Sequence, residues 1–405
     1  MKSTAPFYKP REVRRTARTS GGLSFLTLAI LVSFTSRASA CPFCARMGKT
    51  LLDEVREAEV VVDGRLEDAK PDALGQPGST KLVPLSVIKS PGRVASQQSF
   101  TLDRYLPSTG TRGRRRLVFG QWLEGFVDPY RTIVVENDLL TNYLADSLAR
   151  ADREAGDKYA FFFQYLEHAD PTLAEDAYKE FAKATYADVA KGAKGYDADK
   201  LRAWLSEEAT PSYRIGLYGL LLGLCGKEVD RMFLHDLLEK PSDRLLYGID
   251  GVLAGYCLLD AKGGPDKVMD LLADANQPFK LRYSAMSATR FLLTDFPDAD
   301  RDRLLGRLLD AVQVVDTADI VIDELRRQGH AAAWKKLEPL GREKAYANTV
   351  IQRSLLRFAL SFPDIDAKPF LENIEAQHPG WVAEERQNLE FERDVARQFS
   401  APGER

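Results

Sequence analysis

Two stretches of this chain repeat each other, and the repeat restricts what the chain can fold into. Residues 215–225 read IGLYGLLLGLC and residues 247–257 read YGIDGVLAGYC. A shift of 32 residues lays Gly216 on Gly248, Gly219 on Gly251, Gly223 on Gly255 and Cys225 on Cys257. A further 36 residues on, Ser284, Ser287 and Phe291 take the three glycine positions, so a small residue persists at two of them. A period of this length marks stacked helical pairs.

Glycine inside a helix costs roughly 1 kcal/mol against alanine, so something must offset it. Spacings of three and four put the glycines on one face. A bare face lets a neighbouring helix approach closely, and tightly packed interiors reward that fit. The other positions are mostly Leu, Tyr and Val, so these helices are apolar nearly all round, which means buried or membrane-spanning. Eleven residues at about 1.5 Å each fall far short of a bilayer. The two stretches are expected to be inner helices of an α-solenoid.

The 405 residues allow two or three domains. Residues 1–40 hold seven Lys or Arg against one acid, Glu12, a balance of +6; the whole chain carries −3, so the remainder carries −9. An acidic body argues against nucleic acid as a partner. Arg11, Arg14, Arg15 and Arg18 precede an uncharged run from Thr19 to Ser36, and Ala38-Ser39-Ala40 supplies small residues at a cleavage position. This reads as an export signal, placing the mature chain in a periplasmic or secreted setting with Cys41 first. A lipid on Cys41 and an uncleaved anchor are the alternatives, and they are the only membrane contacts expected.

After Cys41-Pro42-Phe43-Cys44 comes a short helix with Met47, Leu51, Leu52 and Val55 as its apolar stripe. Strand signals follow at Glu59–Leu66, at Val83, Leu85 and Val87, at Phe100 and Leu102, at Leu117–Trp122 and at Arg131–Glu136. The last two form a hairpin around Gly125 and Asp128-Pro129. Five strands with a helix at each end suit an OB-type barrel over residues 41–151. The amino-terminal cysteines, Ala58-Glu59-Val60-Val61-Val62, Val87-Ile88-Lys89 and Leu117-Val118-Phe119 together resemble the netrin-like module of tissue inhibitors of metalloproteinases. That family begins Cys-x-Cys and ties its first cysteines to distant ones. Here the spacing is Cys-x-x-Cys, and no cysteine lies between Cys44 and Cys225.

From Lys158 the pattern is helical. Tyr165-Leu166-Glu167-His168-Ala169-Asp170-Pro171 followed by Glu175-Asp176-Ala177 resembles a HEAT repeat, in which a leucine-rich helix ends, Asp-Pro turns, and a helix with small residues follows. The resemblance implies an α-solenoid over residues 158–380; the charged tail beyond it, residues 381–405, is expected to fray. The expected fold is therefore α+β and multidomain: a small OB-like β-barrel, then HEAT-like helix pairs, with the boundary between Asp146 and Lys158.

Cys41 and Cys44 have the one spacing that carries chemistry. A local disulfide is the main expectation in an oxidising compartment; a redox-active pair is the rival, because Cys-x-x-Cys can lower a thiol pKa. Zinc needs four ligands, and no second pair or histidine stands near in sequence. Cys225 and Cys257 sit at equivalent repeat positions, too far apart at ordinary helix spacing to bridge, and are expected as buried thiols. His168, His235, His330 and His378 are isolated. Arg112, Arg114, Arg115 and Arg116 form the one basic run, which suits an anion-binding loop for phosphate, sulfated glycan or an acidic partner. There is no phosphate-binding glycine loop, no Gly-x-Ser-x-Gly and no His-Glu-x-x-His, and no cofactor is implied. The expected function is non-enzymatic binding or scaffolding of a protein partner through the repeat surface. The rivals are an exported thiol–disulfide oxidoreductase using Cys41 and Cys44 and, more weakly, a protease inhibitor presenting the Cys41 amine to a metal.

Overall fold

The structure is a computed structural model that describes residues 41–44, 48–73, 77–91, 99–107, 114–123, 125–296 and 299–400. The expected export signal in residues 1–40, Met47 and Arg112 lie outside the described residues. Thr50 opens the first helix, α1 (Leu51–Glu57), through a capping box: its hydroxyl accepts from the Asp53 N–H, and the Asp53 carboxylate accepts from the Thr50 N–H.

Five strands come next, β1 (Val60–Lys70), β2 (Ser79–Lys89), β3 (Phe100–Leu102), β4 (Arg115–Leu123) and β5 (Phe126–Val134). They close a barrel in the order β1-β2-β3-β5-β4, antiparallel throughout except where β3 meets β5 at Leu102 and Val127. Val60, Val62, Leu66, Leu82, Phe100, Leu102, Val118 and Val127 fill its interior. Val61, Leu117 and Phe119 point the other way, into a core shared with the helices. Parts of β1 and β4 are thus buried on both faces, which is why Val60-Val61-Val62 runs apolar without alternation.

The strand signalled by Val83, Leu85 and Val87 is β2, but its inward residues are Thr80 and Leu82, and Leu85 is 47% exposed. Shifts in the β1–β2 register decide which side faces in. One expectation is corrected. Asp128-Pro129 is not in the hairpin turn but within β5, opposite Gln121 and Gly120. The register slips between Phe119 and Gly120, leaving Tyr130 as the extra residue of a bulge, where a proline lacking its N–H is tolerated. A side chain at Gly120 would meet the Asp128 carbonyl at 2.7 Å.

No strand occurs after β5 among the described residues. The helices are α2 (Leu139–Arg150), α3 (Ala155–Phe163), α4 (Pro171–Ala182), α5 (Tyr186–Lys191), α6 (Ala198–Ser206), α7 (Ile215–Cys225), α8 (Glu228–Glu239), α9 (Ile249–Leu259), α10 (Gly264–Ala273), α11 (Phe279–Thr294), α12 (Arg301–Asp310), α13 (Ala318–Arg327), α14 (Trp334–Leu337), α15 (Thr349–Ser361), α16 (Lys368–Gln377) and α17 (Trp381–Ser400). Alternate helices lie side by side: α9 packs between α7 and α11, and α15 between α13 and α17. Barrel and helices form one unit. None of the described helices is long and apolar enough to cross a membrane.

The repeated glycines form the seam between α7 and α9. All six are buried. A Cβ on Gly251 would lie 2.0 Å from the Gly216 carbonyl oxygen, and one on Gly255 would lie 2.0 Å from that of Gly219. A Cβ on Gly223 would meet the Gly255 Cα at 2.4 Å. Backbone lies directly on backbone, and no side chain fits between. The expected frayed tail is instead α17. Its Leu389 and Glu385 are buried, and Arg353 of α15 binds Glu385 at 2.6 Å. An apolar stripe and an ion pair hold the charged segment down.

Candidate functional site

Cys41 and Cys44 have their sulfurs 2.19 Å apart, a bonded distance, and their Cα atoms 5.5 Å apart. They precede α1 and belong to no sheet. The Cys44 N–H donates to the Cys41 carbonyl at 3.4 Å, completing a small closed turn. The turn is pressed against the helices. Cys41 is 5% and Phe43 6% exposed, while Cys44 is partly open. The Phe43 ring meets Phe291 of α11 edge-on at 5.4 Å, and Tyr186 of α5 meets the same Phe291 ring at 5.0 Å. The Phe43 carbonyl oxygen lies 2.8 Å from where a Cβ on Gly216 would be. Gly216 therefore serves two close approaches, one by α9 and one by this turn. A thioether lipid on Cys41 and this disulfide exclude each other, since both use the same sulfur valence.

A buried polar joint lies beside the turn. Leu51, the first residue of α1, donates its N–H to Asp176 of α4 at 2.6 Å. Tyr143 of α2 donates its hydroxyl to the other Asp176 oxygen at 2.8 Å. One turn on, Glu180 is fully buried between Lys183 at 2.8 Å and Lys158 at 3.4 Å. Lys183 also reaches Asp53 at 2.7 Å and the Thr50 hydroxyl at 3.1 Å. Burial pushes the Asp176 carboxyl up to about 6, against the hydrogen bonds from Leu51 and Tyr143 that favour its charge. Burial, then the charge of Asp176, raises the Tyr143 hydroxyl. The sequence pattern alone marks this helix as amphipathic and nothing more. The one signal of the joint is an acid pair four residues apart, beside Leu173, Ala177 and Phe181.

The basic run does not gather at one point. Arg114 is exposed. Arg115 turns to the opposite face of β4, where its Nε and Nη2 donate to Asp63 of β1 at 3.0 and 2.5 Å, and Nη2 also reaches Asp138 at 2.5 Å. The buried Asp63 carboxylate accepts the Thr141 hydroxyl as well, at 2.7 Å. Hydrogen bonding to Asp63 raises the Arg115 guanidinium despite some burial. Arg116 is half-buried in β4. The central residue of the run thus clamps barrel to α2.

Cys225 is partly buried and Cys257 fully; neither is bonded. Burial pushes the Cys225 thiol up to about 11 and raises Cys257 too, so both are protonated at neutral pH. His168 accepts the Asp170 N–H, His235 stands near Asp236 and Glu239, and His378 stacks on Trp381. Among the described residues no group of three His, Cys, Asp or Glu is placed to hold a metal. Large aromatic side chains do stand in solvent at the leading ends of α9 and α11: Tyr247 is 69%, Phe279 52% and Tyr283 51% exposed. Lys280 lies over the Tyr247 ring, 3.0 Å from its centroid. No protein-family model, no curated protein and no solved structure matches the chain.

Proposed function

We propose that this is an exported, non-enzymatic binding protein: an OB- or netrin-like barrel carried on a HEAT-like α-solenoid that presents a surface to a protein partner. The observation that carries this reading is the exposed aromatic group Tyr247, Phe279 and Tyr283, set in the turn that leads into α9 and on α11, the helix that packs against α9. Exposed aromatics on a rigid frame are the side chains that dominate protein interfaces, because they bury much area for little lost freedom. The burial of Cys41 weighs against an inhibitor that would present its amine, and against a fast thiol catalyst. The test uses the full chain in its native envelope fraction. One defined protein species should be retained by the wild type and lost at least tenfold by the Tyr247→Ala, Tyr283→Ala double variant, with thermal stability unchanged. Equal retention by both proteins, or turnover in an insulin-reduction assay, sinks the proposal.

A further inference from the structure

We infer that the Cys41–Cys44 disulfide is a redox modification site that works as a latch: a dithiol reductant enters at Cys44, and reduction withdraws Phe43 from its seat on Phe291 of α11 and beside Gly216 of α7. Three observations converge on this. First, the two cysteines are unequally exposed, Cys41 buried and Cys44 partly open, which favours attack by a thiolate at Cys44. Second, among the described residues a single backbone hydrogen bond, of 3.4 Å, is all that closes the turn besides the S–S bond. Third, the turn and α1 are anchored separately. The turn's one ring contact among the described residues is Phe43 on Phe291, whereas α1 is held by Asp176 and Lys183. Opening the turn therefore leaves α1 and the barrel in place.

The exchange balances in two steps. A thiolate of the dithiol bonds to Cys44 Sγ, the S–S bond breaks, and Cys41 Sγ leaves as a thiolate and takes a proton. The second thiol of the reductant then attacks its own sulfur in the mixed disulfide and expels the Cys44 thiolate, which is protonated in turn. Two electrons pass to the protein, and the reductant ends as a cyclic disulfide. The four-residue turn regains its freedom, and the close approach of the Phe43 carbonyl to Gly216 loses its brace. The face of Phe291 that Phe43 occupied is then uncovered. The device differs from an oxidoreductase in that the disulfide is the substrate of exchange and not its catalyst.

The test reads amide exchange and thiol reactivity on the full chain. Dithiothreitol under native conditions should raise exchange about tenfold or more at residues 41–44, 213–219 and 286–291, with exchange in α1 and far-ultraviolet circular dichroism unchanged. The single variants separate the sulfurs: Cys41→Ser, which frees Cys44, should react with an aromatic disulfide reagent at least tenfold faster than Cys44→Ser, which frees Cys41. Phe43→Ala with the disulfide intact should raise exchange at the same helical segments without any reductant. The inference is overturned by unchanged exchange on reduction, by equal reactivity of the two thiols, or by loss of the whole helical signal, which would make the bond a global staple. None of these outcomes depends on the aromatic surface at Tyr247 and Tyr283, so the latch and the binding proposal fail separately.

Discussion

Replacing Gly251 by alanine tests the seam between α7 and α9 with the smallest available perturbation. The added methyl would sit 2.0 Å from the Gly216 carbonyl oxygen and 2.5 Å from that residue's Cα and carbonyl carbon. Ordinary contact begins near 3.4 Å, so the helices must part by more than 1 Å at that point. All three obstacles are backbone atoms, which cannot rotate away. A gap of 0.5–1 Å forfeits roughly a quarter to a half of each dispersion contact along the seam. Overpacking of this kind costs about 1–3 kcal/mol, and a backbone clash belongs at the upper end. Alanine's better helix propensity returns about 1 kcal/mol. The net expectation is a loss of about 2 kcal/mol, roughly 30-fold in the unfolding equilibrium. Gly306, exposed inside α12 with nothing within 4 Å of its Cβ position, is the internal control. Gly306→Ala should gain up to about 1 kcal/mol. Guanidinium unfolding followed by circular dichroism compares the two variants. A Gly251→Ala midpoint at or above the wild type would refute the argument that backbone contact, and not mere helix softness, selects these glycines.

The polar joints give two further expected outcomes. Asp176 holds its proton up to about pH 6 when folded but only to about 3.8 when unfolded, so between those values the folded state binds more protons and stability falls as pH rises. The penalty at neutral pH is of order 3 kcal/mol. Asp176→Asn keeps an acceptor for the Leu51 N–H and should flatten this slope, which urea midpoints at pH 4 and pH 7 will show; parallel profiles would count against it. Arg115→Ala should destabilise by about 3–5 kcal/mol, because it leaves the buried Asp63 carboxylate with only a hydroxyl partner. If the variant instead keeps its stability and loses retention on a sulfated-glycan column, Arg115 belongs to an anion site.

The glycine seam was legible because helix-interior glycines carry an unfavourable term that only close packing offsets, and α7 begins and ends at the residues the pattern marked. Its partner starts at Ile249 and not Tyr247, because a tight turn at Leu245–Tyr247 precedes it. Val60-Val61-Val62 announced a strand but not which valine faces inward, since that depends on register with strands further along the chain. The polar joints were illegible for the same reason, more strongly: Leu51 and Asp176 are 125 residues apart, and Arg115 and Asp63 are 52 apart. Local composition made Arg115 look like part of an anion-binding basic loop because its carboxylate partner lies on another strand.

The joint between α1 and α4 also bears on the order in which a growing chain assembles. Leu51 leaves the ribosome long before Asp176 exists to receive its N–H, and Phe43 long before Phe291. Once in an oxidising compartment the four-residue turn can close its own sulfur bond, needing nothing downstream, while its docking place needs α11. The turn is then seated late, a pre-shaped plug until the helices that receive it are in place. Pairings this distant in sequence are slow to find. A turn already closed by its disulfide arrives with fewer conformations left to search.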